Sequence, residues 1–125
     1  AVLGWAFKKN TNDSRESASI YVSINLLTQG ATLNVYDPMV NKKRILDDIE
    51  FLLKNKGFVK KDIDVMLNKI NIFKSYKDAI EKSVLVAILT EWDEFKDYKW
   101  DQLTKTRKLF DGRNLISSAD YSIGI

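Results

Sequence analysis

Val84-Leu85-Val86-Ala87-Ile88-Leu89 is an unbroken apolar run. A strand that is apolar at every position has both faces covered, which is the situation of a central strand in a parallel sheet packed between helices. A second apolar run, Ala1-Val2-Leu3-Gly4-Trp5, opens the chain and reads as another buried strand. It starts with no lead-in, so the chain is expected to be a piece of something longer.

Between these two runs the pattern alternates. Asp13 and Glu16 have capping-box spacing, Ile20, Ile24 and Leu27 follow at helical intervals, and Gly30 stands where a helix would stop. Thr32 to Tyr36 reads as a strand ended by Asp37-Pro38. Asn41 to Lys56 carries Ile45, Ile49 and Leu52 to Leu53 on one helical face and ends at Gly57, and a shorter helix is expected around Ile63, Met66 and Leu67. Ile70 to Phe73 then reads as a strand and Tyr76 to Lys82 as a short helix. Beyond the central strand, Asp93 to Arg107 reads as a loop followed by a helix, Lys108 to Asp111 as a fifth strand, and the tail as weakly structured. Strands alternating with helices predict one α/β domain over 1–125: a Rossmann-like, doubly wound, mostly parallel sheet of about five strands with helices on both faces.

Composition narrows the chemistry. The 125 residues contain no Cys and no His, which removes disulfides, thiolate nucleophiles, Cys-ligated zinc and the commonest general base. Hydrophobic content of 45% with 30% charged residues is that of a globular protein. No apolar run nears the roughly 20 residues of a membrane span. The net charge of +3, from 20 basic and 17 acidic residues spread along the chain, is too mild to suggest nucleic acid. No spacing of carboxylates suggests a metal cage, and no nucleophile elbow or P-loop is present. The expectation is a binding domain with no catalytic residues and no metal.

Ligands of open α/β sheets bind outside the carboxyl ends of the strands, where the strand order reverses. The loop after the first strand, Gly4 to Asp13, holds one glycine where a dinucleotide fingerprint needs three, so neither NAD nor FAD is expected here even though Asp37 ends the second strand. Phe7-Lys8-Lys9 on that loop offers a ring and a cation to a phosphate-bearing ligand; an ordinary solvated lysine pair is the competing reading. Arg113, after Asp111-Gly112, sits on the same carboxyl edge and can grip an oxyanion with two N–H groups, or be a surface arginine at a turn. Thr90-Glu91-Trp92, past the central strand, reads mainly as packing.

Taken in order, Val2 to Ser17, Tyr36-Asp37-Pro38, Thr90-Glu91-Trp92 and Phe110-Asp111-Gly112-Arg113 resemble the nucleotide-sugar dehydrogenase family, and within it the carboxy-terminal domain of the UDP-glucose dehydrogenases. The resemblance spans nearly the whole chain. It implies a UDP-sugar-binding domain in which Phe7, Lys8 and Arg113 contact UDP-glucose or UDP-glucuronate. It further implies a longer cytoplasmic, homo-oligomeric enzyme, with NAD held by an amino-terminal domain and a catalytic cysteine in a central one. Such an enzyme oxidises the C6 alcohol of the sugar to a carboxylate with two NAD, and the present chain alone is expected to be inactive and to bind no NAD. Relatives acting on UDP-N-acetylmannosamine or GDP-mannose, and a free-standing regulatory or interaction domain, are the alternatives. Departures from the family pattern are Asn114, where some members carry a second arginine, and a longer, more helical stretch from Asn41 to Asn68. The end at Ile123-Gly124-Ile125 is another, since a final strand is expected to follow it.

Overall fold

The computed structural model describes residues 1–116 in full and the backbone of residues 121–122. The sheet is six-stranded and every pairing is parallel. Its strands are β1 (Val2–Leu3), β2 (Leu33–Tyr36), β3 (Ile70–Ile72), β4 (Leu85–Ile88), β5 (Lys108–Asp111) and β6 (Tyr121–Ser122). The spatial order is β3-β2-β1-β4-β5-β6.

This bears out the doubly wound fold and adds a strand. The tail, read from sequence as weakly structured, supplies β6, which pairs Phe110 with Tyr121 and Asp111 with Ser122. A two-residue edge strand has too little alternation to show as a pattern. Ile123 to Ile125 lies outside the described residues.

The helices are α1 (Ala18–Thr28), α2 (Lys42–Asn55), α3 (Lys60–Leu67), α4 (Tyr76–Glu81) and the single turn α5 (Trp100–Leu103), with a 3-10 turn at Asp93–Asp97. From β1 through β3 the chain steps outward one strand at a time, and α1, α2 and α3 pack side by side. It then returns across β2 and β1 to place β4 on the far side of β1, so the same right-handed crossover puts α4 on the opposite face. Alternation along β2 agrees: Asn34 reaches the end of α4 through Lys82 O and Ser83 Oγ, and the Tyr36 ring meets Tyr76 and Phe95.

Local signals explain the helix bounds. The Asn41 side chain accepts from Arg44 N at 2.8 Å and caps α2, while Ile45, Ile49 and Leu53 are fully buried on one face at four-residue intervals. Each such side chain contributes roughly 2 kcal/mol by leaving water. The pairs Lys43–Asp47 and Lys54–Glu50 line exposed positions of the same helix. α1 starts later than the capping-box spacing suggests. Its cap is Ser17, whose hydroxyl accepts from Ser19 N at 3.2 Å, because Glu16 takes a left-handed conformation (φ 58°) and cannot be a first-turn residue. Asp13 instead closes a tight turn by accepting from Arg15 N at 3.0 Å. α1 ends as expected, with Gly30 at φ 92° donating to Leu27 O. Asp93 to Arg107, expected as loop then helix, holds only the 3-10 turn and the four residues of α5.

Candidate functional site

The strand order makes the gap between β1 and β4 the point at which successive connections diverge to opposite sides of the sheet. The crevice over the carboxyl ends of these two strands is therefore where a ligand is expected. Three segments surround it: the loop after β1, the turn after β4, and Gly112-Arg113 after β5.

The loop after β1 is seated by close packing and by carboxylates. Gly4 has φ 98°, and a Cβ there would lie 2.3 Å from Thr90 Cβ, so only glycine lets the loop leave β1 against β4. Thr90 Oγ1 donates to Ala6 O at 2.6 Å, and Ser19 Oγ donates to Gly4 O at 2.7 Å. Asp37, at the end of β2, accepts on Oδ2 from Trp5 N (2.6 Å), Ala6 N (3.0 Å) and Trp92 Nε1 (3.1 Å), and on Oδ1 from Met39 N and Val40 N. The wholly buried Trp5 indole donates to Asp48 Oδ2 at 2.9 Å, which also accepts from Ser14 Oγ at 2.6 Å. Arg44 closes that cluster with contacts to Ser14 Oγ at 3.0 Å and Asp48 Oδ1 at 3.1 Å.

On this frame the loop presents Phe7 and Lys8 at the surface, with the Lys8 ammonium 5.5 Å from the Phe7 ring centroid. Arg113 approaches from β5. Its Nε donates to Leu89 O at 3.0 Å, its Nη2 to Phe7 O, and its Nη1 lies 3.4 Å from Glu91 Oε2. Arg113 thus meets the backbone of Phe7 across 106 residues of sequence, and Lys8 lies next to Phe7 on the same loop. Asp111, fully buried, orients the arginine's backbone by accepting from Arg113 N at 3.0 Å and also accepts from Ile116 N at 2.6 Å. Lys9 is committed elsewhere: its ammonium pairs with Asp93 at 3.1 Å, and this lysine holds the Asp93 carboxyl below its usual range.

Sequence reasoning missed Glu91 and Asp48 as organisers of the loop. Glu91 Oε1 accepts from Lys9 N at 2.8 Å, a contact across 82 residues that no local pattern encodes. Thr90 and Trp92 do pack, as expected, through Ala6 O and Asp37.

A nicotinamide dinucleotide does not fit these residues. The loop has no glycine pair after Gly4, the space at Gly4 is filled by Thr90, and the carboxylate at the end of β2 that would hold a ribose already accepts five N–H groups. Among the described residues no cluster of acidic side chains suits a metal ion, and no helix is long and apolar enough to cross a membrane.

Curated relatives include the UDP-glucose 6-dehydrogenases of Bos taurus (40% identical over 93% of this chain), Drosophila melanogaster (36%, 93%) and Glycine max (35%, 94%). The chain spans about a quarter of their length: 23%, 24% and 26% respectively. Among solved structures, a UDP-glucose dehydrogenase from Pyrobaculum islandicum aligns with a TM-score of 0.67 at 26% identity, over 98% of this chain and 24% of that one. The UDP-N-acetyl-mannosamine dehydrogenase of Staphylococcus aureus shares the fold, with a TM-score of 0.57 at 23% identity, over 97% of this chain and 25% of that one. The family model for the UDP binding domain matches residues 1–118, and the chain therefore belongs to the UDP-glucose/GDP-mannose dehydrogenase family as its UDP-binding domain.

Proposed function

We propose that this domain binds the UDP moiety of UDP-glucose and UDP-glucuronate through Phe7, Lys8 and Arg113, as one part of a longer cytoplasmic, homo-oligomeric, NAD-dependent UDP-glucose 6-dehydrogenase. The observation that carries the reading is the bond from Arg113 Nη2 to Phe7 O, which joins the cationic and aromatic groups of two distant loops at the switch point of the sheet. The Lys8 ammonium and the Arg113 guanidinium supply charge for a diphosphate, and a guanidinium edge suits two phosphate oxygens at once. The Phe7 ring, 37% exposed, offers a flat apolar surface to a base or sugar.

Oxidation of the C6 alcohol to a carboxylate needs a nicotinamide site for both hydrides and, at the aldehyde level, a cysteine nucleophile, and this sequence has neither a cysteine nor a loop that fits NAD. Both belong to other parts of the proposed enzyme, so the role here is to hold substrate. UDP-glucose is favoured over the other sugars of the family because the curated relatives named above are UDP-glucose 6-dehydrogenases. Calorimetric titration of the chain with UDP and UDP-glucose tests this, repeated with Lys8→Ala and Arg113→Ala. Each substitution is expected to weaken binding about tenfold or more, as loss of a charge-assisted contact does. Unchanged affinity in both variants, or NADH formed by the chain alone, would overturn the reading.

A further inference from the structure

Glu91 is out of place beside a site for a diphosphate. Its side chain is 29% exposed, and a carboxylate 3.4 Å from the Arg113 guanidinium lowers the potential that an anion would feel there. Its contacts supply a reason for its presence. One oxygen accepts from Lys9 N on the loop after β1, and the other lies 3.4 Å from Arg113 Nη1 beyond β5. One carboxylate on the turn after β4 therefore braces both flanking segments. The other partners of the guanidinium, Leu89 O and Phe7 O, are neutral carbonyls on one side of it. Glu91 is the charged partner of the guanidinium, and its ion pair on Nη1 fixes the group from a direction the two carbonyls do not cover. The Glu91–Arg113 pair is also less solvated than an ordinary surface pair: both side chains are 29% exposed, against 84% and 54% for Lys43–Asp47.

We infer that Glu91 is a positioning residue for nucleoside-diphosphate binding, fixing the Lys8-bearing loop and the Arg113 guanidinium in one geometry so that both cations meet the same diphosphate. The inference rests on the function proposed above. It makes Glu91 act through Arg113, and that separates it from a residue that merely supports the fold.

Glu91→Gln keeps an acceptor for Lys9 N and removes the charge that holds Arg113. Two measurements on the 125-residue chain test the assignment. The first is ¹⁵N NMR of the arginine side chains, with Arg113 assigned by the loss of its signals in Arg113→Lys. Its guanidinium is expected to rotate slowly in the unsubstituted chain and faster in E91Q. The second is a double-mutant cycle of UDP affinity over the unsubstituted chain, E91Q, R113A and the double variant. E91Q is expected to weaken UDP binding about tenfold when Arg113 is present and less than about twofold in the R113A background.

Unaltered guanidinium rotation, or an equal loss of affinity in both backgrounds, would overturn the inference. If the unsubstituted chain does not bind UDP while E91Q still frees the guanidinium, the proposed function fails and the positioning of Arg113 by Glu91 stands. Should E91Q fail to fold, Glu91→Asp, which keeps the charge but shortens its reach to Arg113, carries the same cycle with the same expected outcomes.

Discussion

Trp92 and Asp37 meet across the carboxyl edge of the sheet: the indole Nε1–H of Trp92 donates to Asp37 Oδ2 at 3.1 Å, over 55 residues of sequence. The same oxygen accepts from Trp5 N and Ala6 N, so a single carboxylate ties the end of β2 to the loop after β1 and the turn after β4. Glu91 forms the corresponding tie between the loop after β1 and the segment after β5. The two carboxylates hold the segments around the switch point, and the placement of Phe7, Lys8 and Arg113 is a product of that frame.

Asp37→Ala strands the donors Trp5 N, Ala6 N and Trp92 Nε1 with no replacement. A loss of about 3 kcal/mol is expected, since each buried donor left unpaired costs roughly 1–3 kcal/mol and partial relaxation offsets some of it. Asp37→Asn keeps one acceptor oxygen and is expected to cost about half as much. Urea unfolding of both variants measures this; equal stabilities for D37A and the parent chain would remove the structural role.

Gly4→Ala places a methyl group 2.3 Å from Thr90 Cβ at a backbone φ of 98°. Steric overlap and left-handed strain together are expected to cost about 3 kcal/mol or more. Trimming Thr90 to alanine does not rescue the variant, because Thr90 N lies 2.6 Å from the same point. The melting midpoints of G4A and G4A/T90A should both fall well below that of T90A.

Ser23 is fully buried on α1, and among the described residues its Oγ is a buried polar atom with no hydrogen-bond partner. Replacing it with alanine removes an unpaired group without losing a bond. Ser23→Ala is expected to be neutral or to stabilise by up to about 1 kcal/mol. A loss of stability in thermal unfolding would show that the hydroxyl has a partner.

Asp13 is held at a pKa of about 2, below the ordinary 3.8, first by the hydrogen bond from the Arg15 guanidinium and then by that from Arg15 N. A depressed carboxylate pKa contributes stability above the unfolded value, and that contribution is lost as pH falls from about 3.8 through about 2. Its partner Arg15 is largely exposed, so salt should weaken the effect. NMR titration of the Asp13 carboxyl should give a midpoint near 2 that rises in Arg15→Ala; an unchanged midpoint in R15A would contradict the assignment.

The parts of this fold that could be read from sequence are those where independent signals coincide. At α2 an apolar stripe and a terminal glycine agree, and the helix runs from Lys42 to Asn55 inside the expected Asn41 to Lys56. At α1 the capping-box spacing of Asp13 and Glu16 placed the start too early, because the cap at Ser17 depends on the backbone of Glu16, which the pattern does not specify. Position on the carboxyl edge marked Phe7, Lys8 and Arg113 as candidates, because a strand end fixes where its next residues emerge, but left ordinary surface roles open; the family resemblance is what assigned them to a ligand. Glu91 and Asp48 were not legible as organisers, since, apart from the neighbouring Arg44, the partners given for them are set by how β1, β4 and α2 pack and lie 22 to 82 residues away.

The central claim is a location: the diphosphate of UDP sits where the loop after β1 meets Arg113. Titrating UDP into the ¹⁵N-labelled chain and mapping amide shift changes tests it most directly. The largest changes are expected at Phe7, Lys8, Lys9, Glu91 and Arg113. Changes centred instead on the open depression lined by Asn12, Arg15, Asn41 and Arg44, with the Phe7 and Arg113 amides unmoved, would contradict it.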